Sequence, residues 1–291
     1  MRLKFIYEHR DCWPISVQCR VLGVTTAAYY KSINRGVSDA QKNRDRIMQE
    51  IIRIHNEPKK NCYGSPRVHR ELLAADMICS VNTVARIMQH GGIRAVTAAK
   101  FRPQTTDSNH DGPIAPNRLN QHFATQKLNQ VWLTDFTYLP TCEDFTYLCT
   151  VMDLHSRRIV GYKTSCHIDA QLAVDALRQA IALRGVSAGL IVHSDRGSQF
   201  ASVAFRSELA RHDILPSMSA KGNCYDNAPM ESFYKSFKIE EVYQHPKYQT
   251  HEEATRGVTD YIERFYNRNR LHSALGYCSP IQFEQQLLSL V

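Results

Sequence analysis

The sequence predicts an α/β protein: a mixed, five-stranded sheet with flanking helices in the second half of the chain, preceded by a purely helical region. Three observations lead there. Beyond residue 128, apolar runs of β-branched and aromatic residues alternate with amphipathic stretches of helical period. Before residue 97 only the helical period recurs. Between them, Thr97 to Thr125 reads TAAKFRPQTTDSNHDGPIAPNRLNQHFAT, rich in Thr, Asn, Asp, Gly and Pro and without period, as a linker does. The expected units are 1–40 and 41–97, each resembling a helix-turn-helix, a linker over 98–127, a sheet-bearing core over 128–245, and a helical C-terminal part over 246–291.

In chain order, residues 15–32 (ISVQCRVLGVTTAAYYKS) form two short helices around Gly23. Val17, Val21 and Leu22 make an apolar stripe, Thr25 is an N-cap, and Tyr29 and Tyr30 follow. Residues 41–57 form an amphipathic helix with Ile47, Ile51 and Ile54 on one face, broken at Lys59 to Gly64. Ser65-Pro66 then opens a helix ending near Leu73, a turn covers Ala75 to Cys79, and Ser80 caps VNTVARIMQH. Arg67, Arg70 and Arg86 are placed to reach phosphates, with Asn82 and Thr83 near bases or backbone. The competing reading of the same arginines is an ordinary solvated helix face.

Strands are expected at 131–139, 145–152 and 158–165, with a hairpin through Leu154 to Arg157. Helix 169–183, strand 189–194, a helix from Ser202, a short strand near 213–218 and a helix at Glu231 follow. Three carboxylates stand out. Asp135 lies inside the apolar run VWLTDFTYLP, Asp195 ends the run Leu190-Ile191-Val192 where Arg196-Gly197 turns the chain, and Glu231 opens a helix signalled by Asp226, Asn227 and Pro229. A strand carboxylate flanked by apolar residues is costly to bury, and three brought together also repel one another. A hard divalent cation resolves both costs, and a pair of such ions roughly 3.5–4 Å apart suits in-line displacement at a phosphodiester. Along the last helix Met230, Phe233 and Phe237 form the buried stripe, while Lys235 and Lys238 share a face with Glu231 and can meet phosphates; for Lys235 a plain helix salt bridge is the alternative. Asp153 reads as a turn or capping residue rather than a fourth ligand. His193 and His272 have general-base chemistry, which a metal-lowered water or hydroxyl does not require.

Composition narrows the function classes. Of 291 residues 43% are apolar, ordinary for a globular protein, and no apolar run nears the roughly 18 residues that span a bilayer. The start, MRLKFIYEHRDCW, lacks the apolar region of a secretory signal, so a cytoplasmic protein is expected. Nine scattered cysteines without a C-x-x-C pair argue against a disulfide framework and a zinc ribbon. Net charge is +8, unevenly spread: residues 1–110 carry 18 basic against 9 acidic residues, and 111–291 carry 18 against 19. The positive excess belongs to the front, where it would attract nucleic acid by neutralising phosphates.

Spacing alone is unspecific, but the words around the carboxylates, W-x-T-D, H-S-D-R-G-S-Q-F and D-N-A-P-M-E-S-F, resemble the DDE core of OrfB-type transposases of insertion sequence family three, whose core is similar to that of retroviral integrases. Val160-Gly161-Tyr162, Tyr266-Asn267 to Arg270-Leu271-His272-Ser273, and Gly276 to Pro280 extend the resemblance over nearly the whole chain. It implies a ribonuclease-H-like fold in which Asp135 and Asp195 lie on neighbouring central strands. It further implies Asp135, Asp195 and Glu231 as catalytic ligands of Mg2+, or Mn2+ in its place, in two ions, and Lys238 as a basic position on DNA beside Arg196. Strand cleavage followed by strand transfer at element ends, a multimer of at least two copies, action on bacterial nucleoid DNA, and fusion to an upstream frame carrying its own helix-turn-helix and leucine zipper are also implied. No heptad run appears before residue 40. Two rivals remain: a non-catalytic DNA-binding regulator, which needs no carboxylate triad, and a nuclease of the same fold, which cleaves without joining. A retroviral-type integrase would carry a zinc-binding His/Cys cluster at the front, which the sequence lacks.

Overall fold

Five strands make one mixed sheet in the computed structural model, which describes residues 2–34, 38–97, 112–220, 224–244 and 246–289. β1 (Val131–Thr141), β2 (Asp144–Asp153) and β3 (Ile159–Ser165) are antiparallel, and β4 (Ile191–Ser194) and β5 (Leu215–Met218) extend the sheet in parallel, giving the order β3-β2-β1-β4-β5. The β2–β3 hairpin closes on Asp153, as its position in the sequence suggested. Its carboxylate accepts hydrogen bonds from the backbone N–H groups of Asn129 (2.7 Å), His155 (2.9 Å) and Ser156 (3.0 Å), which occupies it fully as a turn former.

Alternating side chains give the sheet two apolar faces. Trp132, Cys149, Val151, Val160 and Val192 pack under α7 (Ala170–Arg184), α8 (Ser198–Ala201) and α9 (Val203–Arg211). The α7 contact is close enough to require Gly161 on β3, where a Cβ would stand 2.3 Å from the Ala176 carbonyl. On the other face Leu133, Leu139, Leu148, Met152 and Ile159 pack under α10 (Ala228–Glu240) and α11 (His251–Asp260).

At the front of the chain, α1 (Arg2–Glu8), α2 (Ile15–Val21) and α3 (Thr26–Ile33) form a small unit around Ile6, Cys19 and Tyr29. Of the expected stripe only Leu22 packs on this core; Val21 is 76% exposed and Val17 39%. α1 carries no periodic signal in the sequence. Gln18 donates to the carbonyls of His9 (2.9 Å) and Trp13 (2.7 Å), which turns α2 so that Gln18 and Cys19 face inward. Thr25 caps α3 as expected, accepting from Ala28 N–H at 3.1 Å.

α4 (Asp39–Asn56), α5 (Ser65–Ala74) and α6 (Val81–His90) follow, with Ile47, Ile51 and Ile54 buried on α4 and Ser80 capping α6. The linker does not hold this helical unit away from the core, although its residues 98–111 lie outside the described ones. Apolar residues of α4 to α6 belong to the same cluster as those of α10 and α11. The elbow between α4 and α5 is tied down by ion pairs from Lys59 to Glu241 and Asp260, by Asn61 to Gln244 (2.7 Å), and by the Leu271 N–H to the Tyr63 hydroxyl (3.2 Å).

After α11 the chain makes a π-helical stretch (Tyr261–Tyr266), a turn-rich segment with one 3-10 turn (Ser273–Leu275) and α12 (Pro280–Leu288), capped by Ser279 and Gln282 in a reciprocal capping box. Asn267 completes the edge of β3, accepting from Ile159 N–H (3.0 Å) and donating to Ile159 O (2.9 Å). Arg270, 4% exposed, clamps Glu240 at the end of α10 with two parallel bonds of 2.6 and 2.8 Å, and Tyr261 donates to the same carboxylate at 2.8 Å. A buried charge stripped of its partner costs about 3–5 kcal/mol. Glu240→Ala should therefore lower folding stability by about that amount in chemical denaturation, the largest loss expected of any polar substitution in the C-terminal part.

Candidate active site

Strand pairing brings two carboxylates together. β1 and β4 run parallel and their last paired residues are Leu133 and His193. Two residues further along each chain stand Asp135 and Asp195, level with one another and, by the alternation of the pleat, on the same side of the sheet. Both are half-buried. Each is partly satisfied by the backbone beyond it: Phe136 N–H donates to Asp135 (2.8 Å) and Gly197 N–H to Asp195 (2.9 Å). Beyond residue 133 the β4 side of β1 is no longer paired by strand, and side chains from α10 and its approach take over. Tyr234 donates its hydroxyl to the Asp135 carbonyl at 2.5 Å, and the Asn227 amide reaches the Thr134 carbonyl at 3.4 Å. Glu231 sits in the first turn of α10, exposed, on the face opposite Met230, Phe233 and Phe237.

The charges interact as this placement implies. Burial pushes the Asp135 carboxyl well above the usual carboxylate range, and the charge of Asp195 pushes it further; the Phe136 N–H opposes this, Glu231 adds to it, and Lys238 opposes it. Asp195 thus weighs more on Asp135 than Glu231 does. Burial raises the Glu231 carboxyl and lowers the Lys238 ammonium, while the charge of Asp135 holds Lys238 up. The donor set suits a hard divalent cation: it is oxygen-only, it is self-repelling, and the buried Asn227 Oδ1, one helical turn before Glu231, has no hydrogen-bond partner. Among the described residues no three His, Cys, Asp or Glu side chains already converge at ligand distance. Ligation by all three therefore requires the carboxylates to draw closer together.

Tyr234 was invisible in the sequence, where it stands beside the apolar stripe of its helix as one more aromatic residue. Its hydroxyl lies between Asp135 O and Thr150 Oγ1 (2.8 Å), and burial together with the Asp135 charge keeps it protonated. It ties the helix of Glu231 to the strand of Asp135. The available signal was a phenol three residues beyond the glutamate, next to Phe233 of the apolar stripe. Asp226 was named only as a helix-start signal; it is 1% exposed and accepts from Ala220 N–H (2.8 Å) and Asn117 (2.9 Å), fixing the approach to α10.

Several candidates take other roles. His193 is sealed between Ser217 (2.8 Å) and Ser219 (3.2 Å), and burial drives its pKa down to about 4 against the opposing charge of Asp226, so it stays neutral and structural. His272 packs edge-on against Tyr266 and contacts Arg270 at 3.3 Å. Arg196 was expected on DNA, but its Nε donates to the Ser219 carbonyl at 2.7 Å, tying together the segments that follow the parallel strands β4 and β5. Arg67 is likewise turned inward: its Nε donates to Leu271 O at 3.0 Å and its guanidinium lies over Tyr63, because α5 packs against the C-terminal segment on that side. Arg86 is exposed, Arg70 is exposed over the Tyr277 ring, and Lys235 is exposed on α10. Neither of the two best-formed cavities among the described residues, one of about 780 Å3 beside α11 and one of about 190 Å3 between Pro113 and β5, is lined by the three carboxylates. Of the three, Glu231 is exposed and the two aspartates are half-buried.

Residues 125–224 and 231–288 match the integrase core domain in two families, and residues 42–101 match an HTH-like domain. The sequence is 39% identical over 292 residues, 99% of this chain and 100% of the relative, to the transposase InsF of insertion sequence IS3A from Escherichia coli strain K12. It is also 39% identical over 268 residues, 92% of this chain and 97% of the relative, to an uncharacterized 31 kDa protein of insertion element IS600 from Shigella sonnei. Among solved structures, a simian T-cell lymphotropic virus intasome aligns at TM-score 0.44 and 15% identity, over 76% of this chain and 70% of that one. The HTLV-2 integrase catalytic core domain in complex with magnesium aligns at TM-score 0.41 and 16% identity, over 53% and 95%.

Two substitutions test the geometry. Tyr234→Phe leaves the Asp135 carbonyl and the Thr150 hydroxyl without their partner; it should cost about 1–2 kcal/mol in chemical denaturation and weaken Mn2+ binding measured by calorimetry. His193→Gln keeps a polar group between the two serines but cannot titrate. A histidine whose folded pKa lies below its unfolded 6.5 takes up its proton preferentially on unfolding. It thus destabilises the fold as pH falls from about 6.5 towards 4, and the stability of the wild type should drop relative to the variant by about 2 kcal/mol between pH 7 and pH 5.

Proposed function

The chain belongs to the IS3 family of insertion-sequence transposases, and we propose that it cleaves and rejoins DNA at the ends of its element with Asp135, Asp195 and Glu231 as the catalytic carboxylates. It is a DDE-type polynucleotidyl transferase with an integrase core and an HTH-like domain. The observation that supports the assignment of the three residues is geometric: the β1–β4 pairing sets Asp135 and Asp195 two residues past Leu133 and His193, and Tyr234 ties the helix of Glu231 to the strand of Asp135.

Bound divalent ions, two in this reading, would supply the charge that polarises the phosphodiester and lowers the pKa of the attacking water or 3′-hydroxyl. Asp135, within β1, and Asp195, just past β4, would hold the cations, and Glu231 would complete the set from the first turn of α10. Tyr234 keeps the strand segment of Asp135 at a fixed distance from that helix. Lys238 and the exposed Lys235 receive the phosphates flanking the scissile one. Residues 41–97 act as the DNA-reading unit, with Arg70 and Arg86 on phosphates, while Arg67 and Arg196 support the fold. Residues 128–245 together with 246–291 act as the catalytic unit. Cleavage at two element ends and their joining require at least two copies on DNA, working with the product of the upstream frame. A bacterial cytoplasmic site of action on the nucleoid fits this reading. No helix among the described residues is long and apolar enough to cross a membrane.

The deciding experiment incubates the protein with labelled DNA carrying the gene's own flanking ends, in Mg2+ or Mn2+, beside Glu231→Gln. The wild type should join strands, chelation should stop it, and the variant should fall by roughly 100-fold or more, at least the loss seen when a metal ligand's supporting partner is removed. Cleavage without joining would favour a nuclease, and binding with equal inactivity in both proteins, even with the upstream frame supplied, would favour a DNA-binding regulator.

A further inference from the structure

At the far end of the β1–β2 hairpin three aromatic rings gather beside Lys238. Tyr138 lies three residues beyond Asp135, on the part of β1 that β4 does not pair. Phe145, near the start of β2, meets it edge to face, with centroids 5.1 Å apart and planes at 84°. Lys238 Nζ stands 4.8 Å from the Tyr138 ring centroid and also lies in the field of Asp135. Tyr243 lies in the single turn just past α10, five residues beyond Lys238, and adds to the rise that burial gives the Tyr138 phenol. Phe145 is 41% exposed and Tyr243 49%. A hairpin end can be stabilised by one cross-strand aromatic pair, but that role buries the rings and calls for neither a third ring nor a lysine. Aromatic faces left open beside a lysine offer what an unstacked nucleotide needs: a π-surface for the base and a cation for its phosphate.

We propose that Tyr138, Phe145 and Tyr243, with Lys238, form a stacking shelf for a DNA base drawn out of the duplex next to the phosphate at the carboxylates. The proposal rests on the transposase reading above. Asp135 lies inside β1 and is half-buried, so a phosphodiester reaches it more readily from a strand that leaves the regular duplex. Doing so exposes a base, and the shelf takes it. Stacking on a ring is tolerant of sequence because every base has a π-face, so the shelf would act at any end and leave sequence choice to the helical unit.

The test uses the full chain and duplex element ends with 2-aminopurine at the nucleotides flanking the cleavage position, in two forms, fully paired and with the terminal pairs mismatched. Tyr243→Leu and Phe145→Leu retain apolar bulk at exposed positions and remove the ring face. The expected result is a change of 2-aminopurine fluorescence on binding of the wild type that both variants reduce. Joining should fall about tenfold in the variants on paired ends, and to within about twofold of wild type on mismatched ends, where unpairing no longer has to be driven. Equal losses on both DNAs, undiminished joining on paired ends, or unchanged fluorescence in a wild type that joins would overturn the shelf. A wild type that joins neither DNA even with the upstream-frame product supplied would overturn the transposase reading and the shelf with it.

Discussion

Two carboxylates just beyond the paired stretch of adjacent parallel strands repel each other, and the surrounding structure is arranged to hold them there. Sheet pairing leaves no choice of distance, because Leu133 and His193 are paired and Asp135 and Asp195 follow each by two residues. Neither can relax outward. Asp135 is bound through its side chain by Phe136 N–H and through its carbonyl by Tyr234, and Asp195 is bound by Gly197 N–H. The result is a carboxyl held well above its usual range and answered by one positive charge, Lys238. Such a pair is a liability for folding and an asset for holding a divalent cation, which favours the charged forms of both.

α10 supplies the countermeasures and has to be placed accurately to do so. Its start carries Asn227 and Glu231, its middle Tyr234 and Lys238, and its end Glu240. Arg270 fixes that end from the C-terminal segment with two bonds sealed from water, and Tyr261 adds a third partner to the same carboxylate. The helix is therefore pinned at its end and tied to the strand at its middle, while its first turn remains exposed. That distribution agrees with carboxylates that have still to draw together. The helical unit joins the same arrangement, since Lys59 and Asn61 reach Glu241 and Gln244 immediately after α10.

The sheet was legible because its strands are long apolar runs with turn residues between them, and α4 because isoleucines recur at the helical period. All three carboxylates were legible because each interrupts an apolar context or opens a helix with visible capping residues. What escaped depended on partners that periodicity cannot name. In the first unit, Val17 and Val21 look like a core stripe until Gln18 is found bonded to the turn after α1. Arg67 and Arg196 have the composition of DNA contacts, yet a carbonyl lies within reach of each, on Leu271 and on Ser219, and those carbonyls are 204 and 23 residues away in sequence. Tyr234 has the opposite history: its ring fits the stripe, so nothing local reports that its hydroxyl serves a strand 99 residues earlier.

Where the carboxylates stand bears on what kind of substrate the site can take. A pocket that encloses a small molecule surrounds most of its surface, and the carboxylates here line neither of the two best-formed cavities. A polymer needs no enclosure, because affinity is spread along its backbone in phosphate contacts, each modest and each dependent on salt. The charge distribution fits that division of labour: residues 111–291, which carry the chemistry, hold 18 basic against 19 acidic residues, and the front 110 hold the positive excess. A core that is nearly neutral around a self-repelling carboxylate pair would by itself attract DNA poorly. Docking the basic helical unit against the end of α10 places the electrostatic attraction beside the chemistry, and the catalytic surface then needs no enclosing pocket for affinity.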